Sequence, residues 1–158
     1  MIGGVTQVVI EVEDQDRAKA FWTQTLGFEL VQDAAYGKEQ WLEVRTPDRA
    51  VVVVLERRTG PPPTAPDPSL PTSNVSFHAE DLQQTYRELR ARGVRFPQPP
   101  VQQPFGWWSL FEDPDGNHFA LVPTTSSTAR GRRGSLGQRW WGCARRRARS
   151  DRRGRCRR

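Results

Sequence analysis

The stretch LFEDPDGNHFALVP, residues 110–123, predicts two strands joined by a tight turn. The turn is DPDG, residues 113–116: its proline presets one backbone angle, its aspartates can bond to local amides, and its glycine accepts a positive φ. In the strand that follows, alternate side chains point to opposite faces. One face carries His118, Ala120 and Val122, and the other carries Asn117, Phe119 and Leu121.

An internal repeat extends outward from this turn. At an offset of 67 residues, identical residue types coincide at the joints of the chain: Val8 with Val75, Glu13–Asp14 with Glu80–Asp81, Trp41 with Trp108, and Pro47–Asp48 with Pro114–Asp115. A repeat of this kind indicates two copies of one supersecondary unit.

Each copy reads as strand, helix and three strands. The first helix is predicted to end at Gly27 and the second at Gly93, since glycine commonly follows a helix. The predicted strands of the second copy include VRF, residues 94–96. We therefore expect one α+β domain over residues 1–124, with module 1 at about 5–58, a proline-rich linker at 59–72 and module 2 at 73–123.

The charge of the chain is divided between two regions. Thirteen of its 24 basic residues and one of its 18 acidic residues lie between Arg130 and Arg158, so this segment carries +12 and the remainder −6. Without apolar periodicity, residues 125–158 are predicted to be a disordered Arg-rich tail. Its arginines and tryptophans suit nucleic acid, but their spacing matches no known module, so we favour a tail without that role.

The positions of the cysteines and the distribution of apolar residues limit the possible chemistry and location of the protein. Both cysteines, Cys143 and Cys156, lie in the tail, so the predicted domain has no thiol chemistry. No apolar run is long enough to span a membrane, and the first residues lack the pattern of a signal peptide. These features predict a cytoplasmic protein.

The chain resembles the vicinal oxygen chelate superfamily, which contains glyoxalase I, extradiol dioxygenases and bleomycin-resistance proteins. The resemblance covers residues 5–123 and is carried by VVIEVEDQDRAKAFWTQTLGFEL, FHAEDLQQTYRELRARGV and FEDPDGNHFALVP. It implies two βαβββ modules whose curved mixed sheets enclose a pocket, often completed by dimerisation. It does not fix the reaction, since members of one fold differ in chemistry.

The metal ligands of the superfamily lie on the first and last strand of each module. The matching positions here are Gln7, Val53 or Val54, Asn74 and Ala120. Two amides and two hydrocarbons provide no negative ligand to offset dehydration of a divalent ion. We therefore expect neither a metal nor another cofactor, and instead expect Gln7, Asn74 and Ala120 to bind a ligand in a neutral chamber where the two amides orient it.

Other polar side chains are weaker candidates. Glu11 and His78 are repeat-equivalent and suit proton transfer, so they form a candidate acid/base pair at the pocket rim. Glu43 and His118 are further candidates for ligand contact.

Aromatic residues are the remaining candidates for the pocket wall. Trp41 and Trp108 are repeat-equivalent, Trp107 adjoins the latter, and Phe105 precedes them in QPFGWW. Flat rings with N–H donors suit planar ligands.

These residues predict a metal-independent protein that binds and sequesters an aromatic or toxic small molecule, acting as a homodimer without an assigned catalytic residue. The alternative is a glyoxalase-like lyase, isomerase or dioxygenase with a rebuilt metal site, and a third interpretation is nucleic-acid binding through the tail.

Overall fold

The computed structural model of the protein describes residues 2, 4–37, 39–62, 67 and 69–124. The predicted tail, 125–158, lies outside the described residues, as do Cys143 and Cys156. Within the described part, each module has one α-helix and four strands, with these bounds: β1 Gln7–Val12, α1 Gln15–Ala20, β2 Glu29–Tyr36, β3 Glu39–Arg45, β4 Val52–Arg57, β5 Ser76–Ala79, α2 Leu82–Ala91, β6 Val101–Gln103, β7 Gly106–Glu112 and β8 His118–Pro123.

Each module forms a four-stranded mixed sheet. The order is β1-β4-β3-β2 in module 1 and β5-β8-β7-β6 in module 2. In both sheets the first and last strands of the module pair in parallel, and the other pairs are antiparallel. The predicted α+β fold of two βαβββ modules is confirmed.

The two helices begin and end on equivalent signals. Asp14 and Asp81 each accept a hydrogen bond from an amide of the following first turn, both at 2.9 Å, as N-cap residues do. After each helix a glycine takes a left-handed backbone, with φ of 79° at Gly27 and 87° at Gly93. A π-helical turn, Phe21–Thr25, prolongs α1. No helix in the described part is both long and apolar enough to cross a bilayer.

The predicted strand VRF is wrong. Only Arg95 of this segment forms a bridge, to Glu112, and the strand that pairs with β7 on the side away from β8 is β6, several residues later. Prolines at 97, 99 and 100 separate the two segments. Because proline has no backbone N–H, a continuous ladder cannot run through them.

The two sheets share one apolar core. Trp22, from the helical segment of module 1, is fully buried, and its ring lies 5.6 Å from that of Phe77 and 5.5 Å from that of Phe119, both in module 2. One continuous cluster of buried side chains joins the modules. We call the sheet face that contributes to this cluster the inner face, and the opposite one the distal face.

Candidate functional site

The strand register decides which side chains lie on the distal face of module 1. Val9 pairs with Val54, and Val54 with Glu43, whereas Val53 points into the shared core and is fully buried. Of the two valines that could match the metal-ligand position on β4, Val54 is therefore the one that lies on the distal face. Gln7 begins β1 two residues before Val9, on the same face, and is exposed.

Trp41 lies where two strands of this sheet separate. The β3–β4 pairing ends at Glu43 and Val54, and beyond it Nε2 of Gln15 donates to the carbonyls of Gln40 and Leu55, each at 2.8 Å. The Gln15 amide thus bridges the two strands where their own ladder stops. Nothing in the sequence singled out Gln15, because this role depends on the separation of the strands.

A cavity opens beside this separation. Its volume is about 780 Å³, and its wall includes Tyr36, Trp41, Val54 and Glu56. The Trp41 side chain is 41% exposed, and its Nε1 donates to Oε1 of Glu43 at 2.9 Å. This hydrogen bond fixes one edge of the indole and leaves much of its surface available. We call this space the Trp41 cavity.

The distal face of module 2 carries a buried apolar cluster. Leu110 pairs directly with Ala120, and both pack with Trp108, while Val101 and Val122 lie against the three. Ala120 is 1% exposed and is not among the residues that line the Trp41 cavity. Ala120, which stands where a metal-binding member would carry a carboxylate, is therefore part of a buried hydrocarbon cluster.

Charged side chains border this cluster. Oε1 of Glu112 lies 3.0 Å from Nη1 of Arg95, and its Oε2 lies 3.8 Å from Nε2 of His118. The second distance is beyond a hydrogen bond, and Nδ1 of His118 is buried without a hydrogen-bond partner in the described structure. The carboxylate is oriented mainly by the arginine.

The remaining aromatic candidates are divided between the two faces. The ring centroid of Phe105 lies 6.3 Å from that of Trp108, at an interplanar angle of 82°. Trp107 adjoins Trp108 in β7 and so points to the inner face, where it is 41% exposed at the start of the strand. Of the predicted ring wall, Trp41 lines the Trp41 cavity.

The superfamily's metal does not fit the residues at the matching positions. Gln7 and the exposed Asn74 offer amide oxygens, while Val54 and Ala120 offer no donor at all. In the described ranges, no three His, Cys, Asp or Glu side chains are grouped closely enough to hold a metal. No chemical step is therefore derived through a metal.

The candidate rim pair is placed in two different surroundings. The carbonyl of Glu11 accepts hydrogen bonds from Arg58 and Asn117, whereas His78 lines a second cavity of about 620 Å³. No hydrogen bond or ion pair links Glu11 to His78 in the part of the chain that the structure describes. We call the second space the junction cavity, because both modules contribute to its lining. The lining includes Val8, Thr46–Asp48 and Val53 of module 1 and 74–80, Thr85 and Leu89 of module 2.

Two βαβββ modules that share one apolar core define the two-module α+β fold of this chain. The chain belongs to the glyoxalase/bleomycin resistance protein/dioxygenase superfamily, whose model matches residues 4–121.

Several known proteins resemble this chain. The crystal structure of UcmS2 is 37% identical with a TM-score of 0.63, and the match covers 77% of this chain and 98% of that one. TnmS3, described as an antibiotic binding protein from Streptomyces sp. CB03234, is 29% identical with a TM-score of 0.64 over 77% and 96% of the two chains. The uncharacterized protein YetH of Bacillus subtilis (strain 168) is 34% identical over 122 residues, which cover 77% of this chain and 98% of YetH.

Proposed function

We propose that the protein binds a neutral planar aromatic compound without a metal and sequesters it. The observation that carries this proposal is the Trp41 side chain, held by Glu43 and left 41% exposed at a cavity of about 780 Å³. An indole fixed at one edge loses little conformational freedom when a second ring stacks on it.

The chemistry of the distal faces favours binding over catalysis. The matching ligand positions hold amides and hydrocarbons, which orient or contact a ligand but supply neither a nucleophile nor a bound metal. Similarity to TnmS3, whose description names antibiotic binding, supports sequestration of a toxic compound as the role.

We infer that two copies of the chain complete the site. Within one chain the inner faces are already packed in the shared core, so the distal faces are what a second copy can cover. On the distal face of module 1, Val9 is 52% and Trp41 is 41% exposed. In the second copy, the partly buried Val101 and Val122, which pack on the cluster of Trp108, Leu110 and Ala120, offer a complementary wall.

Calorimetric titration of the purified protein with a panel of planar aromatic compounds, before and after treatment with a chelator, tests this proposal. We expect binding of equal affinity in both preparations and less than 0.1 equivalent of metal per chain by elemental analysis, with the mass of a dimer in solution. Binding that disappears with the chelator and returns with one divalent metal per chain would support the enzyme alternative instead.

A further inference from the structure

The internal repeat gives the fold two equivalent junctions between its modules, and the first is closed by polar contacts. There, Arg17 forms an ion pair and hydrogen bond with Asp115. Nη2 of Arg58 donates to Oδ1 of Asn117 at 2.8 Å, and Nδ2 of Asn117 donates to the carbonyl of Glu11 at 3.0 Å. The turn of module 2 is thereby fastened to module 1.

The second junction lacks these groups. Asp48, Gln84 and Ala50 occupy the positions equivalent to the aspartate, the arginine and the asparagine of the first. Gln84 stands at the position equivalent to Arg17, and Asp48 bonds within its own turn, accepting from Oγ1 of Thr46 at 2.6 Å and from the amide of Ala50 at 3.1 Å. The junction cavity lies at this open side, between the turn of module 1 and β5 and α2 of module 2.

The interior of the junction cavity is apolar. Its volume is about 620 Å³, and its lining includes Val8 and Val53 of module 1 and Phe77, Leu89 and Leu121 of module 2. A space of this size suits a small organic molecule. Residues 74–80 run along one side, and because β8 is the only strand paired with β5 in the described residues, the free edge of β5 offers unpaired backbone groups.

The mouth of the cavity is acidic. Asp48 and Glu80 are exposed carboxylates in its lining, and among the residues that the structure describes this lining includes no lysine or arginine. Hydrogen bonds from Thr46 and Ala50, with a smaller contribution from His78, lower the pKa of Asp48, so this carboxyl is ionised at neutral pH. Charge complementarity therefore selects a cation.

We propose that the junction cavity is a second ligand site, separate from the distal faces, that binds a compact apolar amine. The hydrocarbon body lies against the partly exposed Val8, Phe77 and Leu89, and the ammonium lies beside Asp48 and Glu80. This assignment does not depend on the function proposed for Trp41.

Three probes of one shape and different charge test the assignment: 1-adamantylmethylammonium, 1-adamantylmethanol and 1-adamantanecarboxylate, titrated calorimetrically into the full-length protein. We expect the ammonium compound to bind about tenfold more tightly than the alcohol, and the carboxylate most weakly. Replacing Asp48→Asn and Glu80→Gln together removes this preference and leaves the affinity for the alcohol unchanged. Equal affinities of the ammonium compound and the alcohol for the unaltered protein would overturn the proposal.

Two further sets of variants locate the probe. Leu89→Trp fills the cavity from α2 and Val51→Phe fills it from the turn of module 1, so at least one of them, shown to unfold cooperatively, should abolish binding. Glu13→Gln removes the carboxylate that is repeat-equivalent to Glu80 and should leave affinity unchanged, as should Trp41→Ala. Binding that survives both filling variants, or that is lost with Trp41→Ala, places the probe elsewhere and contradicts the assignment.

Discussion

Nη2 of Arg58 donates a hydrogen bond to Oδ1 of Asn117 at 2.8 Å, which joins the end of module 1 to the turn of module 2. The Arg58 side chain is 2% exposed and its nearest carboxylate oxygen, on Glu13, is 3.7 Å from Nη1. Asn117 also donates to the carboxylate of Asp113 and to the carbonyl of Glu11, at 2.7 and 3.0 Å. The buried side-chain amide of Asn117 thus forms hydrogen bonds with residues of both modules.

Asn117→Ala is expected to lower the free energy of unfolding by about 2 to 4 kcal/mol, because it leaves a buried arginine and a buried carboxylate short of partners. Urea denaturation followed by circular dichroism measures the change. The matched control is Asn74→Ala at an exposed amide, for which we expect a change of about 0.5 kcal/mol or less. Similar effects of the two substitutions would show that the Asn117 contacts do not hold the modules together.

Asp113 gives the stability of the turn a defined pH dependence. Its burial raises the pKa of the carboxyl above the ordinary 3.8, against the opposing effect of hydrogen bonds from Asn117 and from the Asp115 amide. A pKa that is higher in the folded state makes its contribution to stability complete below about pH 4 and lost as pH rises through the raised value.

Asp113→Asn removes this titration, so the destabilisation it causes should be larger at about pH 4 than at about pH 7. Urea denaturation of both proteins at the two pH values measures the difference. Asp33→Asn is the control of opposite sign, because hydrogen bonds from Lys19 and Gln40 lower the pKa of Asp33 and its contribution is lost as pH falls. The same trend in both variants would contradict the assignment.

Gln15→Ala is expected to destabilise the fold by about 1 to 2 kcal/mol, because the carbonyls of Gln40 and Leu55 lose their shared donor. Since these carbonyls lie where β3 separates from β4, affinity for the aromatic ligand should fall as well. Gln24→Ala, at an exposed position of the adjoining π-helical turn, is the control for both measurements. A loss of stability without any loss of affinity would confine Gln15 to a structural role.

Much of the fold follows from local sequence signals. The alternation after DPDG correctly separates Phe119 and Leu121, in the shared core, from Ala120, in the distal cluster. The caps at Asp14 and Asp81 are likewise local, since each side chain bonds to an amide three residues away. The strand predicted at 94–96 is wrong because local sequence does not show which segment pairs with β7. In the structure, β6 forms that pair, beyond the prolines at 97, 99 and 100.

Other features depend on contacts between distant parts of the chain. The side chain of Asn117 donates to the carbonyl of Glu11, which is 106 residues away in the sequence. No periodicity in the sequence predicts this hydrogen bond. The choice between Val53 and Val54 rests on the register of β1 with β4. The repeat shows that Gln84 and Ala50 replace the arginine and the asparagine near Asp48, but the cavity itself is visible only in the structure.

Ala120→Phe is expected to destabilise the fold by about 1 to 3 kcal/mol, because Ala120 is 1% exposed and packs against Leu110 and Trp108. Affinity for the aromatic ligand should also fall if this cluster forms the opposite wall in the dimer. Ala35→Phe, at an exposed position in β2, is the control for stability. Unchanged ligand affinity in a folded Ala120→Phe protein would remove Ala120 from the site.

A planar ligand is expected to stack on Trp41, and comparing the ligand affinity of variants at two equally exposed tryptophans tests this stacking directly. Trp41 and Trp107 are each 41% exposed, but Trp41 lies on a distal face at the cavity and Trp107 on an inner face. Calorimetric titration of chelator-treated Trp41→Ala and Trp107→Ala with one planar aromatic ligand should show affinity reduced about tenfold in the first and unchanged in the second. Equal affinity of both variants, or a loss confined to Trp107→Ala, would contradict the account.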